Sequence, residues 1–253
     1  MSDEPRQSLY GDADAKSAED IKPLGMMDIL SGVFSEPVEL FQRLSKKPQW
    51  VGALVIVVVM ALLLAVAWAY KFDNVEEMAE VLQNQLERAG VSINAEMQRN
   101  LEVSARYTGI GRIINYLFIV PIQIFIGGLV WWGVGLMSRE DTNWWPTYMH
   151  GLTVAAVPKL VLVPYYFIGT LIAILKGVGV HTCEQMIPSS LGFWIEAENP
   201  KLSLLYDKID IFLLAGYALL FFAARHTLRA KPWGAVLCVA LSLAVSVAHV
   251  LMA

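Results

Sequence analysis

QWVGALVIVVVMALLLAVAWAY, residues Gln49–Tyr70, contains no charged side chain and is rich in Val, Leu and Ala. A helix of about 20 such residues crosses the ~30 Å hydrocarbon core of a bilayer. Trp50 stands at one end and Trp68 and Tyr70 at the other, where amphipathic rings favour the membrane–water boundary. This stretch therefore reads as a transmembrane helix, and the rest of the chain is organised around the bilayer it implies.

Four more apolar stretches follow, Ile113–Met137, Leu152–Leu175, Ile209–Ala224 and Trp233–Met252, and the Trp131-Trp132 pair near the end of the first of these fits the same boundary belt. The expectation is an all-α polytopic membrane protein, a bundle of five transmembrane helices over residues 49–253. Composition agrees: 56% of residues are hydrophobic and 17% charged, more apolar surface than a soluble chain of this size hides. A net charge of −4 with no long Lys/Arg run argues against nucleic acid as a partner. Membrane lipids are the partners that the composition does imply.

Ahead of the first stretch, residues 1–25 are polar, lack the apolar core of a secretory signal, and read as a disordered tail. From Met26 the pattern changes. Met27, Leu30, Phe34, Val38, Phe41 and Leu44 recur three or four apart, the mark of an amphipathic helix over 26–48. It either lies at the membrane surface or packs under the bundle. Ser35-Glu36-Pro37 carries a helix-start signal, Ser as cap and Pro in the first turn, which divides the stripe in two. Between the first two spans, residues 71–112 are acidic and periodic (Val75, Met78, Leu82, Leu86, then Ile93, Met97, Leu101), with Ala89-Gly90 as a stop. They read as a helical hairpin outside the bilayer, packed on itself or on a partner.

Positive charges set the orientation. Arg43, Lys46 and Lys47 precede the first span, Arg139 follows the second, and Arg225, Arg229 and Lys231 fill the very short fourth connection, all on one side. Lys71, Arg106, Arg112, Lys176, Lys201 and Lys208 lie on the other, in longer loops mixed with acids that weigh less. The positive-inside bias then places the amino terminus in the cytoplasm and the carboxyl terminus outside.

Chemistry is sparse. Lys159, after Pro158 and before Pro164 in the third span, is an ionisable group in hydrocarbon and a functional hypothesis by default. Its stem also reaches the headgroups by snorkelling, since it lies about 10 Å past Leu152 at 1.5 Å per residue. Asn115 and Gln123 are the other candidate polar residues within spans. Asp210 begins the fourth, where a carboxylate suits a helix N-terminus without catalytic duty. His181, Cys183 and Glu184 form one short cluster without the ligand spacing of a zinc site. No nucleophile elbow, phosphate-binding loop, dinucleotide fingerprint or His-Glu helix motif is present, so the sequence assigns no catalytic, cofactor or metal residues. Ala240, Ala244 and Ala248 form a small-residue stripe for packing inside the bundle or against a second copy.

Phe34-Ser-Glu-Pro37-Val-Glu-Leu-Phe41, continuing through Pro48-Gln-Trp50, and Thr147-Tyr-Met-His-Gly151 through Ala155-Ala-Val-Pro158 resemble the Yip family. These are Rab-GTPase-interacting membrane proteins of eukaryotes, and the likeness is closer to the family's bacterial branch. Eukaryotic members carry Asp-Leu-Tyr-Gly-Pro just before the first span; here Ser8-Leu-Tyr-Gly-Asp12 lies almost forty residues ahead of it, so the Rab role does not transfer. The resemblance implies five helices, a cytoplasmic amino-terminal tail and a non-enzymatic role. The expected function is a membrane organiser or scaffold that recruits proteins through 1–48 or 71–112. The alternative is a small transporter subunit using the polar face near Asn115, Gln123 and Lys159.

Overall fold

The computed structural model describes residues 23–71, 79–80, 82–83, 86, 92–176, 187–195, 202, 206 and 209–252. Most of the polar tail, most of the first half of the 71–112 hairpin and the His181–Cys183–Glu184 cluster lie outside the described residues. The described residues are almost entirely helical. Helices α1 (Met26–Ser35) and α2 (Pro37–Lys46) precede α3 (Val51–Lys71). Then come α4 (Ala95–Ile114), a π-helical turn (Asn115–Ile119) and α5 (Val120–Ser138). The chain continues through α6 (Tyr148–Ala156), a 3-10 segment (Val157–Leu162), α7 (Val163–Lys176) and the short α8 (Leu191–Trp194). Helices α9 (Ile211–His226) and α10 (Pro232–Met252) complete it.

Three helical runs are long and apolar enough to cross a membrane: Val51–Tyr70, Asn115–Ser138 and Tyr148–Leu175. The apolar helices at Ile211–His226 and Pro232–Ala248 are shorter by the same measure. All five run through one packed body. The broadest contact is α5 on α6; α3 packs along α7, and α9 lies between α10 and the 3-10 segment.

Prolines explain the two irregular turns. Pro121 has no N–H for the Leu117 carbonyl, and the chain widens to π geometry just before it, with the Val120 amide bonded to the Asn115 carbonyl. Pro158 and Pro164 each remove another donor, and the stretch between them tightens to 3-10. The third of the long helical runs therefore changes from α to 3-10 and back to α along its length. Its central turn buries Val157, Pro158, Leu160 and Val161 against α1, α3 and α9.

The amino-terminal stripe is phased differently from the single-helix reading. Ile29 and Val33 are the buried positions of α1, while Met27 and Phe34 face outward, and in α2 the buried set is Leu40, Phe41, Leu44 and Ser45. Glu36, at φ −142° and ψ 61°, breaks the helical path and resets the face. Ser35 does not cap α2. It closes α1, its hydroxyl donating to the Ser31 carbonyl at 3.0 Å, and Glu36 occupies the cap position without a side-chain bond. Two tryptophans expected at the interface, Trp68 and Trp131, are core residues instead. The Ala240, Ala244 and Ala248 stripe is exposed on α10, so it does not pack inside the bundle.

Candidate functional site: the membrane face that carries the amino-terminal helices

Two short connections meet at one end of the bundle. The chain after α5 and the chain after α9 are joined by a bridge between Arg139 and Ala230. The Glu140 amide donates to the Arg229 carbonyl at 2.9 Å, and the Lys231 amide to the Ser138 carbonyl at 2.6 Å. Arg229 accepts a positive φ of 48° to make this turn. Gly234 permits the closeness, because a Cβ there would strike the Ser138 side chain.

Helix α2 is fastened across the same end by its own carbonyls. Thr227 donates its hydroxyl to the Phe41 carbonyl at 3.2 Å. His150 lies 3.0 Å from the Ser45 carbonyl through Nε2, and its Nδ1 accepts the Thr147 amide at 3.0 Å. That acceptor role puts the imidazole proton on Nε2, so one ring both caps the start of α6 and holds the last turn of α2. His150, Thr227 and Phe41 are all buried. The quoted Thr147–Gly151 segment is thus a junction between α2, α5 and α6.

Charge and aromatic rings concentrate beside this junction. Arg225 pairs with Glu140 at 2.7 Å and also donates to the Ala230 carbonyl. The Arg139 guanidinium lies over the Trp145 ring, 3.6 Å from its centre, and Arg229 lies over Trp144 at 4.8 Å. Among the described residues neither of these two arginines has a carboxylate partner.

The residues singled out in the sequence fall into separate places. Phe41 and Pro158 are buried; Pro37, Pro48 and Trp50 are half-buried; Phe34 is exposed. Trp50 donates through its indole N–H to the Met149 sulfur at 3.2 Å and meets Phe125 edge-on. A cavity of about 350 Å³ lies between Leu24–Ile29 and Pro48–Gly52. Asn115 and Gln123 are exposed on the outer surface, while Lys159 is half-buried in the 3-10 turn with no ion pair among the described residues. Among the described residues no hydrogen bond joins the three. Among the described residues no group of three or more His, Cys, Asp or Glu side chains is placed to hold a metal. His150 lies within the quoted family-like segment, but its role and that of Thr227 were hidden in one dimension, since their partners are backbone carbonyls more than a hundred residues away.

Several apolar helices long enough for a bilayer, closed at one end by an amphipathic helix pair, define a multi-pass α-helical membrane protein. The Yip1 domain family matches residues 31–253, and the chain belongs to that family. No curated protein and no solved structure matches it significantly.

Proposed function

We propose that this Yip1-domain protein is a non-enzymatic membrane organiser whose α1–α2 platform recruits a protein partner. In this reading α9 and α10 also cross the bilayer, giving five spans. The 16 residues of α9 extend about 24 Å at 1.5 Å per residue, enough for a locally thinned or tilted arrangement. The amino terminus then faces the cytoplasm, the carboxyl terminus lies outside an inner membrane, and residues 71–112 form an external helical unit.

The observation that carries the reading is the way α1–α2 is mounted. Phe41 and Leu44 are wholly enclosed and two carbonyls are bonded to the bundle, yet Met27 is 72% and Phe34 52% exposed. A rigidly held element with an outward apolar face is suited to presenting a surface. Transport has less in its favour, since Asn115 and Gln123 are exposed while Lys159 is half-buried.

A photo-crosslinking residue placed at Met27 or Phe34 in living cells tests the recruitment directly. A discrete protein adduct from these positions, and none from exposed Val245 on α10, is the expected result. Adducts to lipid alone at both positions would remove the platform from consideration. If Lys159→Met abolishes the cellular phenotype while deletion of 1–48 leaves it intact, transport replaces recruitment.

A further inference from the structure

We propose that Arg139 and Arg229, each laid on a tryptophan, bind the phosphate headgroup of an anionic phospholipid. The site lies at the membrane face where α5, α6, α9 and α10 are joined. It depends on membrane insertion but not on the recruitment reading, so either can fail alone.

The first support is uncompensated charge. Arg139, Arg225, Arg229 and Lys231 are brought together by the bridge between the two connections. Glu140 is already taken by Arg225, and the Asp141 carboxylate accepts the Asn143 amide at 2.8 Å. Among the described residues Arg139, Arg229 and Lys231 make no ion pair. The Arg139 side chain makes no hydrogen bond there either; its Nη1 is enclosed, so an outside acceptor must be met by the other N–H groups of the guanidinium. A guanidinium carries five N–H donors in a planar fork matched to phosphate oxygens, so this group has more donors than the protein supplies acceptors.

The second support is geometry. Stacking on an indole holds a guanidinium flat and leaves its edge donors available for an acceptor in the same plane. Two such contacts fall on consecutive tryptophans, with Arg139 3.6 Å from the Trp145 ring centre and Arg229 4.8 Å from that of Trp144, and the Arg139–Ala230 bridge brings their two backbone segments together. Arg229 is further set by the left-handed backbone turn that the Glu140 and Ala230 amide bonds enforce.

The third support selects lipid over a soluble phosphate. Met137 ends a membrane-crossing helix and is 70% exposed, Trp145 is 62% exposed, and Trp233 begins α10 with half its surface free. Gly234 packs on Ser138, which keeps Trp233 next to the end of α5. Exposed apolar side chains at the ends of apolar helices thus adjoin unpaired cations, a pairing that suits a ligand with both acyl chains and an anionic headgroup. Basic residues at such a boundary attract anionic lipid, an effect that added salt screens.

The test uses the purified full chain in neutral detergent, titrated with dioctanoyl phosphatidylglycerol, dioctanoyl phosphatidylcholine and inorganic phosphate. Tryptophan fluorescence and native mass spectrometry report binding. Phosphatidylglycerol should bind at least about tenfold more tightly than phosphatidylcholine and weaken as salt rises. R139Q/R229Q should lose about tenfold or more for phosphatidylglycerol, while R99Q on the exposed face of α4 loses nothing. R139K/R229K keeps the charge but not the fork, and should lose only about two- to fivefold. Equal binding of the two lipids, or equal behaviour of R139Q/R229Q and R99Q, overturns the site. Inorganic phosphate binding as tightly as phosphatidylglycerol makes free phosphate the ligand and overturns the lipid assignment. Should the glutamine variant not fold, the salt dependence of the unaltered chain and the lysine variant decide.

Discussion

Gly128, Gly151 and Gly234 lie where helices touch, whereas Ala240, Ala244 and Ala248 lie on an outer face of α10. A Cβ at Gly151 would run into the Gly128 carbonyl and Trp132, and one at Gly128 would meet the Leu152 backbone at 3.1 Å. Among the described residues the three alanines of the stripe are exposed instead. Both sets consist of small residues in apolar helices, and in a bilayer such residues gain their value from close backbone approach rather than from escaping water. The difference is therefore one of neighbours. Small side chains mark where a helix is able to be crossed, not whether this chain supplies the crossing partner.

The sharpest way to break the glycine half of that contrast is Gly151→Ala. The added methyl meets backbone, which cannot rotate away, so α5 and α6 must separate. A loss of about 3 kcal/mol or more is expected, at the upper end for overpacking. Gly133→Ala on the same helix pair is the control, because nothing lies within 4 Å of its Cβ position. It should be neutral or gain up to about 1 kcal/mol from helix propensity. Thermal unfolding in detergent separates the two; equal melting temperatures would show that α5 and α6 are not in the contact described.

Next in size is His150→Ala, which removes the ring's hydrogen bonds to Thr147 and Ser45 and leaves the Ser45 carbonyl buried without its donor. About 2 kcal/mol should be lost, the sum of a bond and an unsatisfied acceptor. The informative readout is local. Hydrogen exchange of amides in 37–46 should accelerate while α5 and α6 remain protected, and adding Thr227→Val should release α2 further. If exchange in 37–46 is unchanged by the double variant, α2 is held by Phe41 and Leu44 alone.

Asp210→Ala should cost about 1 kcal/mol, the usual value for a helix cap. The Asp210 carboxylate accepts the Phe212 amide at 2.7 Å and the Leu213 amide at 3.2 Å, and Ser189 donates its hydroxyl to it. Asp210→Asn, which still accepts at the cap, should recover most of the loss in the same melting assay. Equal losses for both variants would assign the stabilisation to charge rather than to capping.

What was legible in one dimension follows from the range of the forces. The apolar stretches are local and uninterrupted, and their helices begin and end within a few residues of the periodic pattern, as at Val51–Lys71 against Gln49–Tyr70. Asp210 at a helix start was legible for the same reason. The face of α1 was not, because one non-helical residue, Glu36, changes the phase that a continuous stripe assumes. Trp68 and Trp131 look like interface residues by position along the chain, but their neighbours across helices enclose them. The junction at His150 and the stacked arginines was equally hidden. Each needs segments that meet only after folding: Ser45 with His150, Phe41 with Thr227, Arg139 with Ala230. Lys159 was conspicuous because charge in an apolar run is conspicuous, yet it meets neither of the other polar candidates.

The smallest expected effect concerns the alanine half of the contrast, and it is the one that separates a stripe with a partner from a stripe without one. Ala244→Leu adds bulk on an exposed surface, so the fold of the single chain should hardly change, by less than about 0.5 kcal/mol. Tyr217, whose hydroxyl lies 2.9 Å from the Ser246 hydroxyl, keeps α9 and α10 together on a different face and should be undisturbed. A second copy packed on the stripe at small-residue distance would meet the new side chain and be pushed away. The mass of the detergent-solubilised particle then falls in Ala244→Leu while its melting temperature stays. An unchanged mass with an unchanged melting temperature leaves the stripe facing lipid. A lowered melting temperature without a change of mass would mean that α10 packs more closely within the chain than its exposed alanines allow.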